Sequence, residues 1–402
     1  MRLRGLIRQH LRPTRADAGA TNKGVRMNVE TILADLVAVP SLPGTPNRVM
    51  TDCLRDYLAG AQVTEIPGPE GDRFNLFATI GPRDVPGYVL SGHSDVVPVE
   101  GQDWATDPFR LTRDGNRLIG RGTTDMKGFL ACVLSMVPEF AAMDLRRPIH
   151  VALSYDEEIG CRGVGHMIAR LPGLCAPPLG CIVGEPSDMR PVLSHKGKQA
   201  IAITIEGQAG HSSNPALGVN ALYPAGELLV WIRDRAARLA TEGPFDPRFD
   251  PPHSTLQAGV IRGGSAVNII PDRAVIDIEV RSVPGQAPQE VTAEVLAELH
   301  AVAARSGVRA SSAEFSSYPA LPPPEGDDLS RLLARWTGQE PLAAVSYGTE
   351  AGLFHAAGIP SIICGPGSIA RAHRANEFIL DEELEACRRM LLALSAEISA
   401  PA

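Results

Sequence analysis

Short apolar runs that stop at an imidazole or a carboxylate constrain this chain more than any other feature. GYVLSG runs into His93, IHVALSY into Asp156 and LGCIVG into Glu185, and PSIICGPG follows late in the chain. Runs of this length, rich in Val and Ile and too short for helices, read as strands buried on both faces. Between them lie amphipathic stretches such as VETILADLVAV and NRVMTDCLRDYLAG, while FNLFATI (Phe74 to Ile80) reads as a further strand. Buried strands alternating with helices predict an α/β fold: a mixed, mostly parallel sheet with flanking helices.

One interval breaks the rhythm. From Lys198 to Ser317 the pattern becomes strand (QAIAITIEG), long helix (ALGVNALYPAGELLVWIRDRAARLA), two strands (TLQAGVIRGG, RAVIDIEVRSV), helix (QEVTAEVLAELHAVAARSG) and strand (VRASSAEFSS). That β-α-β-β-α-β order is a split βαβ unit. Residues 198–317 are therefore expected to form an inserted ferredoxin-like α+β domain, with 28–197 and 318–402 making the main domain. The proline-stiffened PALPPPEGDD (Pro319 to Asp328) marks the return. The first 26 residues carry seven Arg or Lys against one Asp and no apolar h-region. Residues 1–27 thus read as a disordered basic leader, not a secretory signal.

Composition removes several function classes. A net charge of −8 argues against nucleic acid as a partner, and no stretch approaches the 18 apolar residues of a membrane span. The seven cysteines are scattered without a CxxC pair, which speaks for a reducing cytoplasm and against a thiolate metal site. Any metal must then be held by imidazole and carboxylate.

Such groups sit where strands end. His93 lies in SGHSDVVP, Glu157 and Glu158 in SYDEEIG, Glu185 in VGEPSD, Asp125 in GRGTTDMKG and His373 in GPGSIARAHRANE. Open α/β sheets bind ligands outside the carboxyl ends of their strands. Gathering two imidazoles and four carboxylates there is prohibitive without cations. The set suits two divalent metals, Zn2+ or Co2+, with one imidazole each and one carboxylate spanning both. Adjacent Glu157 and Glu158 fit a division of labour in which one holds metal and the other accepts a proton from the attacking water.

The positions advance by 32, 33 and 27 from His93 through Asp125 and Glu158 to Glu185. With HSDVVP, GRGTTDMKG, DEEIG, GEP, GHSS and the late AH, residues 28–400 resemble the M20 family of co-catalytic metallopeptidases and amidohydrolases. SYDEEIGCRG, GEPSDMRPVLSHKGK, GGSAVNIIP, YGTEAGLF and GPGSIARAHRANEF are most similar to its acetylornithine deacetylase branch. The resemblance implies a di-zinc exopeptidase-like fold with a lid or dimerisation insert, and amide hydrolysis of N2-acetyl-L-ornithine.

It further implies that His93 and Glu185 hold one metal, His373 and Glu158 the other, and that Asp125 bridges them. Glu157 becomes the base, Asp95 orients His93, and His211 reaches across a homodimer to the developing oxyanion. Arg281 and Asn268 are the counterparts of the family's holders of the substrate carboxylate. Gly348 and Thr349 sit at a predicted helix N-terminus suited to an anion, and Glu350 is expected to meet the substrate's side-chain ammonium. Succinyl-diaminopimelate desuccinylase, N-acetylcitrulline deacetylase, carboxypeptidase, dipeptidase and a non-catalytic binding relative stay open as alternatives. His195 reads as a hinge or packing residue, and Cys161 and Cys364 as packing.

Overall fold

A computed structural model describes residues 27–399, so the basic leader lies outside the described residues apart from Met27. A six-stranded sheet runs in the order Gln62–Pro67, Phe74–Ile80, Ile149–Ser154, Tyr88–His93, Gly180–Pro186, Ser361–Gly365. The last four strands are parallel, and the first two form an antiparallel edge. The sheet is thus mixed and mostly parallel, as expected. All four parallel strands are buried along their whole length, which explains their unbroken apolar sequences.

Neighbouring residues on these strands feed opposite cores. Leu90, Ile182 and Ile362 pack with helices Val29–Val37, Gly128–Ala141 and Asp381–Ser399, while Val89, Val183 and Ile363 pack with Val164, Met167 and Phe354 on the other face. Each such side chain, fully buried, contributes about 1.5–3 kcal/mol. Gly184 lets the first layer close: a Cβ there would lie 2.1 Å from the Phe129 ring. Gly184→Ala would force Phe129 and its helix off the strand that delivers Glu185.

Residues 197–318 build a second, antiparallel sheet in the order Thr255–Gly263, Arg273–Ser282, Gly197–Glu206, Arg309–Tyr318. Helices Leu222–Glu242 and Pro288–Ser306 cover one face through Leu228, Ile232, Val291 and Val295 against Ile203, Ile205, Ile276 and Ile278. Alternation along Arg273–Ser282 buries Ala274, Ile276, Ile278 and Val280, which leaves Glu279 and Arg281 together on the other face. The long helix starts later than its apolar pattern suggests. Pro215–Leu217 is a separate 3-10 turn, and a two-residue strand, Gly210–His211, pairs antiparallel with the sequence-distant Ile269–Ile270 to form a small two-stranded ribbon.

Candidate metal centre and substrate site

The turn that presents Asp125 is held by polar groups normally found at surfaces. It begins at Gly122, whose φ of 85° suits glycine, and runs through Thr123–Lys127 with a cis Asp125–Met126 peptide. Lys127 is buried, and its Nζ donates to Leu36 O at 3.0 Å and Val39 O at 2.9 Å, capping the carbonyl end of the Val29–Val37 helix. Glu377 accepts from the backbone N–H groups of Gly122, Thr124 and Asp125 at 3.1, 2.9 and 3.0 Å. The distant acid thus satisfies N–H groups that the turn's irregular backbone leaves open, and the motif's basic residue ties the turn to the end of the Val29–Val37 helix.

His93 closes its strand, Glu185 lies near the end of the adjacent one, and Glu157 and Glu158 follow Ile149–Ser154. The structure brings these groups together with Asp125 and His373. His93 Nε2 lies 3.1 Å from Asp125 Oδ1 and 3.6 Å from Glu185 Oε1. His373 Nε2 lies 3.2 Å from the other oxygen, Asp125 Oδ2, and 3.1 Å from Glu158 Oε2. One carboxylate therefore stands between two imidazoles, each with a second carboxylate at its side. Two overlapping groups, His93–Glu157–Glu185 and His93–Asp125–Glu158, have ligand atoms within 4.8 Å of one another.

Asp95 does more than orient a ring. Its backbone carbonyl accepts from His93 Nδ1 at 2.9 Å, while its carboxylate, 3.6 Å from that nitrogen, accepts from the N–H groups of Glu157 and Glu158 at 3.2 Å each. The His93 and Glu157 loops are pinned to one residue.

The electrostatics of the cluster bear on what it can hold. Burial, then the neighbouring Asp125, pushes Glu185 well above the usual carboxylate range, and burial carries Glu157 up to about 8. Bonds to Asp125 and Glu158 raise His373 to about 11. Crowded carboxylates resist ionising together while the imidazoles become cations. Two divalent ions balance such a donor set, and its imidazole-plus-carboxylate composition without thiolate fits them.

A model of peptidase family M20/M25/M40 matches residues 89–397. The chain belongs to that family. It is 32% identical over 367 residues to an acetylornithine deacetylase of Proteus mirabilis, an alignment covering 89% of this chain and 93% of that one. The fold is that of an M20 metallo-carboxypeptidase from Sulfolobus solfataricus, with TM-score 0.74 at 17% identity over 93% of this chain and 100% of the other. A dinuclear metal-binding M20 peptidase from Bacillus subtilis gives TM-score 0.61 at 17% identity, covering 92% and 98%. This M20 chain is thus a metal-dependent hydrolase, with a His/Asp/Glu cluster able to hold metals.

In this M20 chain, Arg281 is held from two directions. Its Nε and Nη2 donate to Glu279 at 2.9 and 3.3 Å, and Nη1 donates to Tyr318 Oη at 2.9 Å. Lys198 Nζ lies 3.3 Å from the same Glu279 carboxylate. Gly348 packs on Tyr318, since a Cβ would sit 2.3 Å from its ring. Thr349 Oγ1 accepts at 3.1 Å from the N–H of Ala351, the first residue of the six-residue helix Ala351–Ala356. His195 is buried, donates from Nδ1 to Lys196 O at 2.8 Å and accepts from Gly352 N–H at 3.1 Å. Burial pushes its pKa down to about 4, so it is a neutral packing residue at the junction.

Glu350 lies close to the cluster. Its side chain is 1% exposed and its Oε2 accepts from Ser91 Oγ at 3.2 Å, two residues back along the strand from His93. An acid just before a helix has a known position on the chain but an unspecified rotation, and here it turns inward.

The structure does not bring His211 and Asn268 to the cluster: among the described residues, no hydrogen bond or ion pair joins them to it. Both are exposed at the two-stranded ribbon, where Ser212 N–H donates to Asn268 O at 3.1 Å. Ser213 N–H donates to His211 Nδ1 at 3.2 Å, which leaves Nε2 to carry the outward-facing proton. Cys161 was read as packing, yet its thiol donates to Glu157 Oε1 at 3.2 Å. The four-residue separation of Cys161 from Glu157 signals such a contact only inside a helix, and this segment is a loop. Glu377 and Tyr318 were also missed. No periodicity marks Glu377, and Tyr318 is visible only as the end of a strand.

Proposed function

We propose that this chain removes the acetyl group from N2-acetyl-L-ornithine, giving L-ornithine and acetate, as a cytoplasmic homodimer serving arginine biosynthesis. The arrangement that carries the reading is Asp125, with one oxygen 3.1 Å from His93 and the other 3.2 Å from His373. His93 and Glu185 would hold one divalent ion, His373 and Glu158 a second, with Asp125 between them and Zn2+ the preferred metal, Co2+ the substitute. When bound, the pair supplies polarisation of the scissile carbonyl and acidification of a water.

The remaining work falls to side chains. Glu157, fixed through its N–H by Asp95, takes the proton of the attacking water and hands it to the leaving amine. Arg281 offers its two end-on N–H bonds to the substrate carboxylate, because Glu279 and Tyr318 already occupy its other donors. The Gly348 backbone and Thr349 line the same anion. His211 donates from Nε2 to the oxyanion of a partner's site, with Asn268 beside it.

Support for a homodimer comes from the exposed apolar surface of the inserted segment. Leu217, Tyr223, Val260, Ile261 and Val267 are exposed there, and a cavity of about 1070 Å³ is lined by Ser212, Tyr223 and Val267. No described helix is long and apolar enough to cross a membrane. The acyl amino acid is supported by identity to the curated acetylornithine deacetylases. Purified protein assayed on acetylornithine, acetylcitrulline and succinyl-diaminopimelate tests it. The expected result is preference for acetylornithine; preference for the diacid overturns the substrate.

A further inference from the structure

We propose that Glu377 is a positioning residue that builds the His373 side of the metal centre by locking the Asp125 turn to the loop carrying His373. The inference rests on the two-metal reading above. Glu377 and Arg121 are each 1% exposed and pair at 2.7 Å. A carboxylate so buried must be fully partnered. Oε2 takes Arg121 Nη1 and Gly122 N–H, and Oε1 takes the N–H groups of Thr124 and Asp125.

Further bonds run the same way, from the Asp125 side to a loop some 250 positions later. From the Asp125 side, Arg121 Nη1 also donates to Arg374 O at 3.3 Å, and Thr124 Oγ1 donates to Phe378 O at 2.6 Å. Gly120 N–H donates to Glu377 O at 2.9 Å. Arg121 Nη2 donates to Gln102 Oε1, and Gln102 Nε2 reaches His373 O at 2.9 Å. The carbonyl of His373 and the amide of Asp125 are thereby tied to one buried ion pair. Their side chains meet on the metal side, His373 Nε2 lying 3.2 Å from Asp125 Oδ2.

Charge and shape both matter at this position. Every donor aimed at Glu377 is an N–H, so an amide in its place would set an NH2 against other donors. Freed of its acceptor, the Asp125 amide would let the bridging carboxylate rotate away from His373. The His93 side has its own anchor in Asp95, so the loss should fall on one metal of the two.

Metal binding reads this directly. Apo protein is titrated with Co2+, following each equivalent by calorimetry and by its visible absorption band. Wild type should take two equivalents. Glu377→Gln should bind the first as wild type does and the second about 10–100-fold more weakly, the usual cost of losing a group that orients a ligand. Glu377→Asp, which keeps the charge beside Arg121 but withdraws the oxygens, should show a smaller loss confined to the same equivalent. A purely structural ion pair would lower the Tm and leave the spacing between the two affinities unchanged, and that result overturns the proposal. If Glu377→Gln does not fold, Glu377→Asp decides, and a second affinity equal to wild type overturns it. Wild type taking up fewer than two equivalents would remove the two-metal reading itself, an outcome visible before any substitution is made.

Discussion

The carboxyl ends of the parallel sheet and the two-stranded ribbon of the inserted segment both carry residues assigned to chemistry, but they are built in opposite ways. At the sheet three of these groups are gripped by their own chain: His93 by the Asp95 carbonyl, Glu157 by the Asp95 carboxylate, Asp125 by Glu377. On the ribbon, His211 is exposed and, among the described residues, its ring is met by Ser213 of the same turn. Groups that must hold fixed distances to ions are pre-organised by buried hydrogen bonds, at the expense of burying charge. A group that waits for a second surface needs only the correct tautomer. The contrast predicts that substitutions at the sheet act within one chain and that those at the ribbon act between chains.

The largest effect belongs to the sheet. Glu157→Ala should lower kcat on the order of 10²–10⁴-fold while metal content stays at the wild-type level. Metal analysis beside steady-state kinetics checks it. A variant that loses metal in parallel with activity would make Glu157 a ligand and erase its distinction from Glu158.

The ribbon comes next. His211→Ala should cost about 10²–10³-fold in kcat with little change in KM, as expected for a donor engaged only in the transition state. The sharper experiment mixes the two inactive variants. If His211 serves a partner's site, random exchange makes half the dimers mixed, each with one intact site, and about a quarter of wild-type activity returns. No recovery after verified exchange would mean that one chain supplies both His211 and Glu157 to a site, and would end the comparison.

The two regions were also unequally legible in the sequence. Strand ends could be read because a buried parallel strand is apolar throughout, so the first imidazole or carboxylate after it marks the binding edge. His93, Glu185 and the Glu157–Glu158 pair were found that way. The split βαβ order of residues 198–317 followed from a change of period. The supporting contacts were not visible. Glu377 is one acid in an irregular loop, and its burial depends on Arg121, 256 positions away. Glu350 was placed correctly along the chain, but the direction of its side chain follows from packing against Ser91. Glu279 and Arg281 share a strand face by simple alternation, yet only the structure shows that Glu279 takes up one edge of the guanidinium and leaves the other.

That edge sets a smaller effect. Arg281→Lys keeps the charge but loses the planar fork, and should raise KM roughly 10–100-fold, the worth of a charge-assisted bond of about 1.5–3 kcal/mol. Its kcat should fall less. Glu279→Gln should move KM in the same direction by less, since the guanidinium stays charged and only its orientation loosens. Equal losses in kcat and kcat/KM for Arg281→Lys would instead make it a transition-state contact.

The smallest effect tests how completely the sheet side is held. Cys161 donates its thiol to Glu157 Oε1 at 3.2 Å, a side-chain hydrogen bond on the carboxylate itself and separate from the Asp95 clamp on the Glu157 backbone. Burial and the neighbouring Glu157 keep this thiol protonated, well above its ordinary pKa, so it acts as a donor and not as a nucleophile. A thiol is a weak donor, and removing a neutral hydrogen bond costs about 0.5–1.5 kcal/mol. Cys161→Ala should therefore lower kcat roughly two- to tenfold without touching metal content, and Cys161→Ser, which restores a donor, should recover most of it. A hundredfold loss in the alanine variant, unrescued by serine, would mean that the Asp95 clamp on the backbone does not by itself fix the base, and that the sheet side is less rigid than its buried hydrogen bonds imply.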